Sequence, residues 1–430
     1  MVTILIISFH LRFINDLDDI FSSLYLFYWL FKIRHATVIV NNMQFIFNLG
    51  HQQDLSLAEL YSVYGVQNIT LLAPGFATLE SDQLPNNLDL LGGTYKVSGF
   101  LKQINLGNWP NIIDDLSSYI KENKDLNEKI VFGLSFYHSN HKVKEIHKIG
   151  FQIKKTLLKD LPTVRYVANQ ELGLNSAQII NNKLLIKNNV EVNLIFDHNK
   201  IWLTKTLFVQ NISKYSARDF NRPYRDPRNG MLPPKLAQII VNIASLNNPK
   251  TILDPFCGTG VILQEALLMG NSVVGSDLNP RMVSFSQKNI AWLKSRFKIN
   301  SKLNEEYMVG DATKIQWPYF DCVASETSLG APLSNLPNQV QLAKIVKQSD
   351  VLVKSFLINL AQQAQPGCRI CIAIPVWRLT DKQFKKLTII DQIHNLGYNL
   401  IEFKDLNNQN LIYIRPNQVV GRQLLALTRK

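Results

Sequence analysis

The chain has 430 residues, 46% of them apolar, and a formal net charge of +13. That length exceeds what one hydrophobic core usually serves, so two or three domains are expected, in a composition ordinary for a folded globular protein. The positive balance points to a polyanionic partner, nucleic acid first, or else to a merely basic surface, and four cysteines, all in the second half, exclude a disulfide framework and fit a reducing, cytoplasmic setting. Cys368-x-x-Cys371 has no second pair and sits at an apolar run, so no metal is expected there.

Residues 1–42 differ in character from the rest of the chain. Acids (Asp16, Asp18, Asp19) precede the apolar run Ile20–Phe31, and Lys32, Arg34 and His35 come after it. The run is too short for a membrane span, and its charges lie in the wrong order for a signal peptide. The expectation is an extension upstream of a start at Met43, with a membrane-surface anchor as the alternative. Met43–Gly50 then reads as a strand and a turn.

Residues 43–212 alternate strand and helix patterns. Leu55–Tyr61 has helical spacing with Ser56 as a cap. Strands are predicted at Asn68–Leu72, Lys96–Phe100, Lys129–Phe136, Thr163–Val167, Leu184–Ile186, Glu191–Phe196 and Lys200–Gln210. Helices are predicted at Trp109–Glu122, with Ile112, Ile113, Leu116 and Ile120 on one face, and at Val143–Lys159. Lys142, Lys144, Lys148, Lys154, Lys155 and Lys159 lie on or beside the second helix, which suits RNA backbone contact or is a solvated face. No acid–base cluster or glycine-rich phosphate loop is visible in this α+β part.

Residues 213–230 read as a basic linker. Arg218, Arg222, Arg225 and Arg228 alternate there with Tyr215, Phe220 and Tyr224, as phosphate grips and base-stacking faces would. Asp219 and Asp226 offer the alternative of pairing within the protein.

From residue 231 to 430 the pattern changes. Met231–Ala244 is a helix with prolines in its first turn and a stripe of Leu232, Leu236, Ile239, Ile240 and Ile243. Thr251–Gly260, T-I-L-D-P-F-C-G-T-G, reads as a strand, a glycine turn and a helix start near Val261. Further strands are predicted at Ser272–Ser276, Tyr307–Val309, Cys322–Ser325, Arg369–Pro375, Asn399–Asp405 and Asn410–Arg415. Further helices are predicted at Pro280–Phe297, Asn338–Ala364 and Asp381–Leu396. This alternation predicts a doubly wound, mostly parallel sheet with an antiparallel hairpin at its edge. The run Leu411–Leu425 ends the sheet, and its Arg415 and Arg422 meet RNA, a neighbouring loop or solvent.

Asp254, Asp277 and Asp311 fall at the ends of three successive strands, where ligands bind in such sheets. An acid about 20 residues beyond the glycine loop is placed for ribose hydroxyls. The loop is not G-x-G-x-x-G and no P-loop lysine comes after it, which argues against dinucleotide dehydrogenases and NTPases.

Asp-Pro-Phe-Cys-Gly-Thr-Gly with Gly-Ser-Asp and Gly-Asp-Ala resembles the class I S-adenosylmethionine-dependent methyltransferases. From Tyr215 to Asp311 the chain is similar, more narrowly, to the THUMP-type tRNA guanosine N2-methyltransferases. The resemblance implies an α/β fold, with a Rossmann-like methyltransferase domain at 231–430 and a THUMP-like RNA-binding region at 43–212. It implies S-adenosylmethionine as cofactor, held by Asp254, Cys257, Gly258, Gly260, Asp277, Asn279, Asp311 and Ala312. It further implies methylation of the exocyclic N2 of a guanosine in tRNA. No metal, no stable protein partner and no membrane association are expected. Where that family carries Asp-Pro-Pro-Tyr-Gly after the fourth strand, this chain has Glu326-Thr-Ser-Leu-Gly330. Glu326 keeps a carboxylate that can accept from an exocyclic amine and is the expected catalytic residue. Leu329 cannot stack on a base as a tyrosine would, so Trp317, Tyr319 or Phe320 is the candidate stacking face. An rRNA or DNA amino-methyltransferase, or a catalytically impaired RNA-binding protein, remain the alternatives.

Overall fold

Period-two apolar patterns build two sheets in the computed structural model, which describes residues 43–430 apart from 123, 226–230, 247, 249, 382, 408 and 409. The readings of residues 1–42, Asp226 and Arg228 lie outside the described residues.

The first sheet holds β1 (Met43–Leu49), β2 (Ile69–Ala73), β3 (Phe76–Ser81), β4 (Thr94–Asn105), β5 (Ile130–Tyr137), β6 (Val164–Val167), β7 (Val190–Asp197) and β8 (Lys200–Val209). Their spatial order is β2-β3-β1-β4-β8-β7-β5-β6. Only the pairs β5–β6 and β5–β7 are parallel. Four helices accompany it: α1 (Gln53–Tyr64), α2 (Trp109–Lys121), α3 (Val143–Leu157) and α4 (Ser176–Asn181). The apolar stripes of α2 and α3, including Ile112, Leu116, Ile146 and Ile153, pack with Phe132, Leu134, Val192 and Leu194. Inside the sheet the Lys96 ammonium donates to Glu191 at 2.7 Å and to the Tyr137 hydroxyl at 2.9 Å. A buried ion pair of this kind stands only because its remaining hydrogen bonds are also made.

The second sheet comes after α5 (Ile212–Phe220) and α6 (Pro234–Ser245). Its parallel strands are β9 (Thr251–Asp254), β10 (Ser272–Asp277), β11 (Glu305–Val309), β12 (Cys322–Glu326) and β13 (Arg369–Arg378), joined through α7 (Val261–Leu268), α8 (Pro280–Arg296) and α9 (Gln339–Ala361). Short strands β14 (Phe384–Lys385), β15 (Tyr398–Leu400) and β16 (Ile412–Tyr413) precede β17 (Val420–Arg429). The order is β11-β10-β9-β12-β13-β17-β15, with β14 on β13 and β16 on β17. Consecutive crossovers go to opposite sides of β9, which makes its carboxyl end the switch point where a crevice opens.

Several expectations need correction. The antiparallel element is not an edge hairpin. β17 lies between β13 and β15, and β15 and β16 each pair with β17 rather than with each other. Asp381–Leu396 is not an α-helix but β14 and then a 3-10 segment at Thr388–Leu396. Leu184–Ile186 forms turns, and β3 was not foreseen. Ser56 is not the cap of α1: its hydroxyl donates to the Gln52 carbonyl at 3.2 Å, inside the helix that Gln52 starts. Among the described residues no helix is long and apolar enough to cross a membrane.

The two sheets share one core. Phe45, Phe47, Leu55 and Leu60 from the first side join Leu236, Ile240, Ile252 and Val273 from the second in a single buried cluster. Glu59 of α1 reinforces this junction. Its carboxylate accepts from the backbone of Gly92 and Gly93, at 2.8 Å each, and from Nδ2 of Asn242 in α6 at 2.7 Å. Burial pushes Glu59 up to about 7, against the pull of these hydrogen bonds.

Candidate active site

The loop between β9 and α7 shapes the site. Gly258 has φ +51 and Gly260 φ +83, backbone states that favour glycine. At Gly260 a Cβ would lie 2.3 Å from the Ser286 hydroxyl of α8. The sharp turn brings the start of α7, with its unsatisfied N–H groups, to the end of β9.

Three carboxylates converge on this loop. Asp254 is buried, and its Oδ1 accepts from the Ser325 hydroxyl at 2.6 Å and from the Phe256 amide at 3.3 Å. Burial pushes it up to about 7, with Asp277 and Glu326 adding like-charge repulsion. Asp277 Oδ2 accepts from the Gly258 amide at 3.0 Å, while Oδ1 takes the Asn279 amide at 2.8 Å. Asn279 caps α8 through the Arg281 amide. Glu326 ends β12, is held above the usual carboxylate range by burial, and is drawn back by Arg422, whose Nε donates to Glu326 Oε1.

Asp254, Cys257, Gly258 and Glu326 line one cavity together with Phe256 and Met282. Cys257 is buried and its thiol is pushed well up by that burial. Asp311 and Ala312 stand apart from this cavity, beyond β11. The Asp311 carboxylate caps its own turn, accepting from the Thr313 amide at 2.9 Å and its hydroxyl at 2.8 Å, which holds it below the usual range. Buried Ala312 offers its carbonyl to Asn359.

The aromatic candidates lie elsewhere. Asp321 holds the opposite end of β9 through the Thr251 amide at 2.7 Å, so Tyr319, bonded to it, sits at the amino edge of the sheet, while the Trp317 indole reaches back toward the carboxyl end of β10. Trp317 is buried and donates to Ser276, Phe320 is buried beside it, and exposed Tyr319 donates to Asp321. None of the three lines the cavity that holds Glu326. Phe256, which no spacing signal singled out, is the aromatic in the cavity, edge-on to Phe356.

The arginine segment also departs from expectation. It is not a linker throughout, since α5 occupies Ile212–Phe220. Arg218 is buried: its Nε donates to Glu265 of α7 at 2.6 Å and its guanidinium lies 4.6 Å from the Tyr215 ring. Arg222 is buried against the sulfur of Met231 at 3.1 Å. Neither is available to RNA. Arg225 is exposed, over the Phe220 ring at 5.4 Å.

The donor set suits a particular ligand. The Asp254 and Glu326 carboxyls in the cavity, Asp277 behind the glycine turn and apolar Phe256 and Met282 fit a cationic, hydroxyl-bearing molecule, and among the described residues no cation for a phosphate lines the cavity. Strand order and the crevice at the end of β9 are those of a Rossmann-like α/β domain. Residues 222–393 match the family described as RMKL-like, methyltransferase domain. A second family, described as DNA methylase, matches residues 116–288. The chain is 32% identical over 174 residues to a tRNA (guanine(10)-N2)-dimethyltransferase of Methanothermobacter thermautotrophicus, covering 40% of this chain and 47% of that protein. With the protein of the same name from Methanocaldococcus jannaschii it shares 36% over 115 residues, 24% of this chain and 32% of that one. It thus spans less than half the length of these relatives. The crystal structure of TrmN from Thermus thermophilus superposes with a TM-score of 0.51 at 14% identity, over 90% of this chain and all of that one. This likeness establishes a shared fold across both sheets.

Proposed function

We propose that this protein methylates the exocyclic N2 of a guanosine in tRNA. The observation that carries the reading is the placement of Glu326, at the end of β12 and in the same cavity as Asp254 and Gly258. Asp254, Gly258 and Asp277 would hold the cofactor, with Cys257, Gly260 and Asn279 shaping the loop around it and Asp311 and Ala312 bordering it beyond β11. When bound, S-adenosylmethionine supplies an electrophilic methyl group on a sulfonium, the electron pair of the broken bond staying on sulfur. Glu326 accepts from the amine N–H, orients its lone pair and takes the proton the nitrogen sheds once it is bonded to carbon. A carboxylate also matches the guanine edge, where N1 and N2 both donate; adenine would set an acceptor against it.

The first sheet, with the boundaries 43–212, is read as the RNA-gripping, THUMP-like region. Lys144, Lys148 and Lys155 of α3 are exposed around exposed Phe151, a basic face with an aromatic. Arg225 is the exposed arginine of the described linker residues and joins this reading. A cytoplasmic location goes with a tRNA substrate.

Nucleoside mass spectrometry of tRNA from cells with and without the protein tests this. The expected result is loss of N2-methylated guanosine; an unchanged nucleoside profile would refute it. The DNA methylase match favours one second reading, an amino-methyltransferase acting on DNA. Methylation of purified tRNA against rRNA and duplex DNA separates the two. An impaired RNA-binding protein would bind tRNA but give no calorimetric signal with the cofactor.

A further inference from the structure

Glu326 does not stand alone. Arg422 is on β17, opposite Pro375 of β13, and is almost fully buried. Its Nε donates to Glu326 Oε1 across the top of β13. Glu326 faces the cavity with Asp254 and Gly258. Arg422 faces a second cavity of about 230 Å³, walled by Leu329, Pro332 and Leu333 on one side and Val419 and Val420 on the other. The ion pair is therefore the partition between two cavities. One has the carboxylates that suit a sulfonium; the other joins apolar walls to Ser334, Asn417 and Gln418, a lining that suits the face and the polar edge of a planar base.

The loop after Glu326 is tied independently of this pair. The Thr327 amide and hydroxyl both donate to the Ala373 carbonyl, at 2.9 and 3.2 Å. The backbone of the fourth-strand loop is thus set by β13, and what remains to be set is the direction of the Glu326 side chain. One methylene longer than aspartate, it has more rotamers to lose. A guanidinium donates in a fixed plane, so it restricts that direction as an ammonium would not.

We propose that Arg422 is a positioning residue for Glu326, aiming its carboxylate from the partition at an acceptor base lodged in the second cavity. The proposal rests on the reading of Glu326 as the group that receives the amine. Arg422 also opposes the burial that raises the Glu326 carboxyl. The other charged group facing Glu326 is the carboxyl of Asp254 on β9, and their mutual repulsion adds to the cost of ionising either. Removing Arg422 should therefore move the acid limb of the rate upward in pH.

The test uses the full chain with tRNA and S-adenosylmethionine. Arg422→Gln is expected to lower kcat by roughly a hundredfold at neutral pH, and to raise the acid limb of kcat by about one unit or more. Cofactor affinity by calorimetry should stay within about threefold, since Arg422 lines the other cavity. Arg422→Lys keeps a charge and should recover about a tenth or more of the activity. The decisive comparison is in a Glu326→Gln background, where no charge is left unpaired when Arg422→Gln is added. There the second substitution should change kcat by less than about twofold, because Arg422 acts only through Glu326. A further tenfold loss in that background, or an unmoved acid limb in a folded Arg422 variant, overturns the proposal. Full activity in Glu326→Gln itself would instead overturn the reading of Glu326, so the two failures are told apart.

Discussion

Asp254 illustrates how one side chain couples fold and ligand. Its sequence position, at the end of an apolar strand before a glycine turn, marked it as a site residue. The Ser325 hydroxyl and the proximity of Glu326 come from a strand some 70 residues away and left no local signal. With its carboxyl pushed up to about 7 by burial, Asp254 changes charge within the working pH range. A cationic ligand favours the ionised form, so affinity for S-adenosylmethionine should rise with pH. Calorimetry is expected to show binding about three- to tenfold tighter near pH 8 than near pH 6. Asp254→Asn should bind more weakly and with little pH dependence; equal affinity at both pH values in the native protein would remove Asp254 from the ligand's field.

At the scale of elements, period and turn chemistry made most of the second sheet legible. β9 to β13 and their helices alternate with clear apolar patterns, and the order of acids marked strand ends. What was not legible depended on partners distant in sequence. β17 reads Val-Gly-Arg-Gln-Leu-Leu-Ala-Leu after the Pro416-Asn417 turn, and only its place between β13 and β15 makes it a central strand. Segment 213–230 misled for a related reason: arginines beside aromatics look alike whether they face RNA or a buried acid. The structure separates them by depth, Arg218 and Arg222 inside and Arg225 outside. Arg218→Ala leaves Glu265 buried without its cation, and is expected to cost about 3–5 kcal/mol in urea unfolding. The salt dependence of tRNA binding should stay as it is in the native protein. A variant of native stability whose tRNA binding lost salt sensitivity would restore Arg218 to the RNA surface.

The whole molecule turns on the junction between the sheets, which no motif announced. Glu59 lies in an otherwise apolar helix pattern and gave no sign of its three donors. Its carboxyl is raised from an ordinary 4.5 to about 7, so the folded protein retains a proton that the unfolded chain releases over that interval. Its contribution is therefore present at low pH and is lost as pH rises through about 7. Between about pH 5 and 8 the native protein should lose on the order of 3 kcal/mol more stability than Glu59→Gln, read from thermal or urea unfolding. Parallel pH profiles for the two proteins would show that Glu59 does not titrate in the junction.

The shared core has a mechanical consequence. Phe45, Leu55, Leu236 and Ile252 belong to one packed cluster, and close-packed interiors transmit displacement instead of absorbing it. The two sheets are therefore expected to move together as a rigid gauge and not as jaws. An RNA held on the first sheet would meet Glu326 at a span fixed when the chain folds. The substrate, not the protein, would then supply the movement that brings a base into reach. On the proposed function, a chain built this way would select among RNAs by length and shape before any base is read.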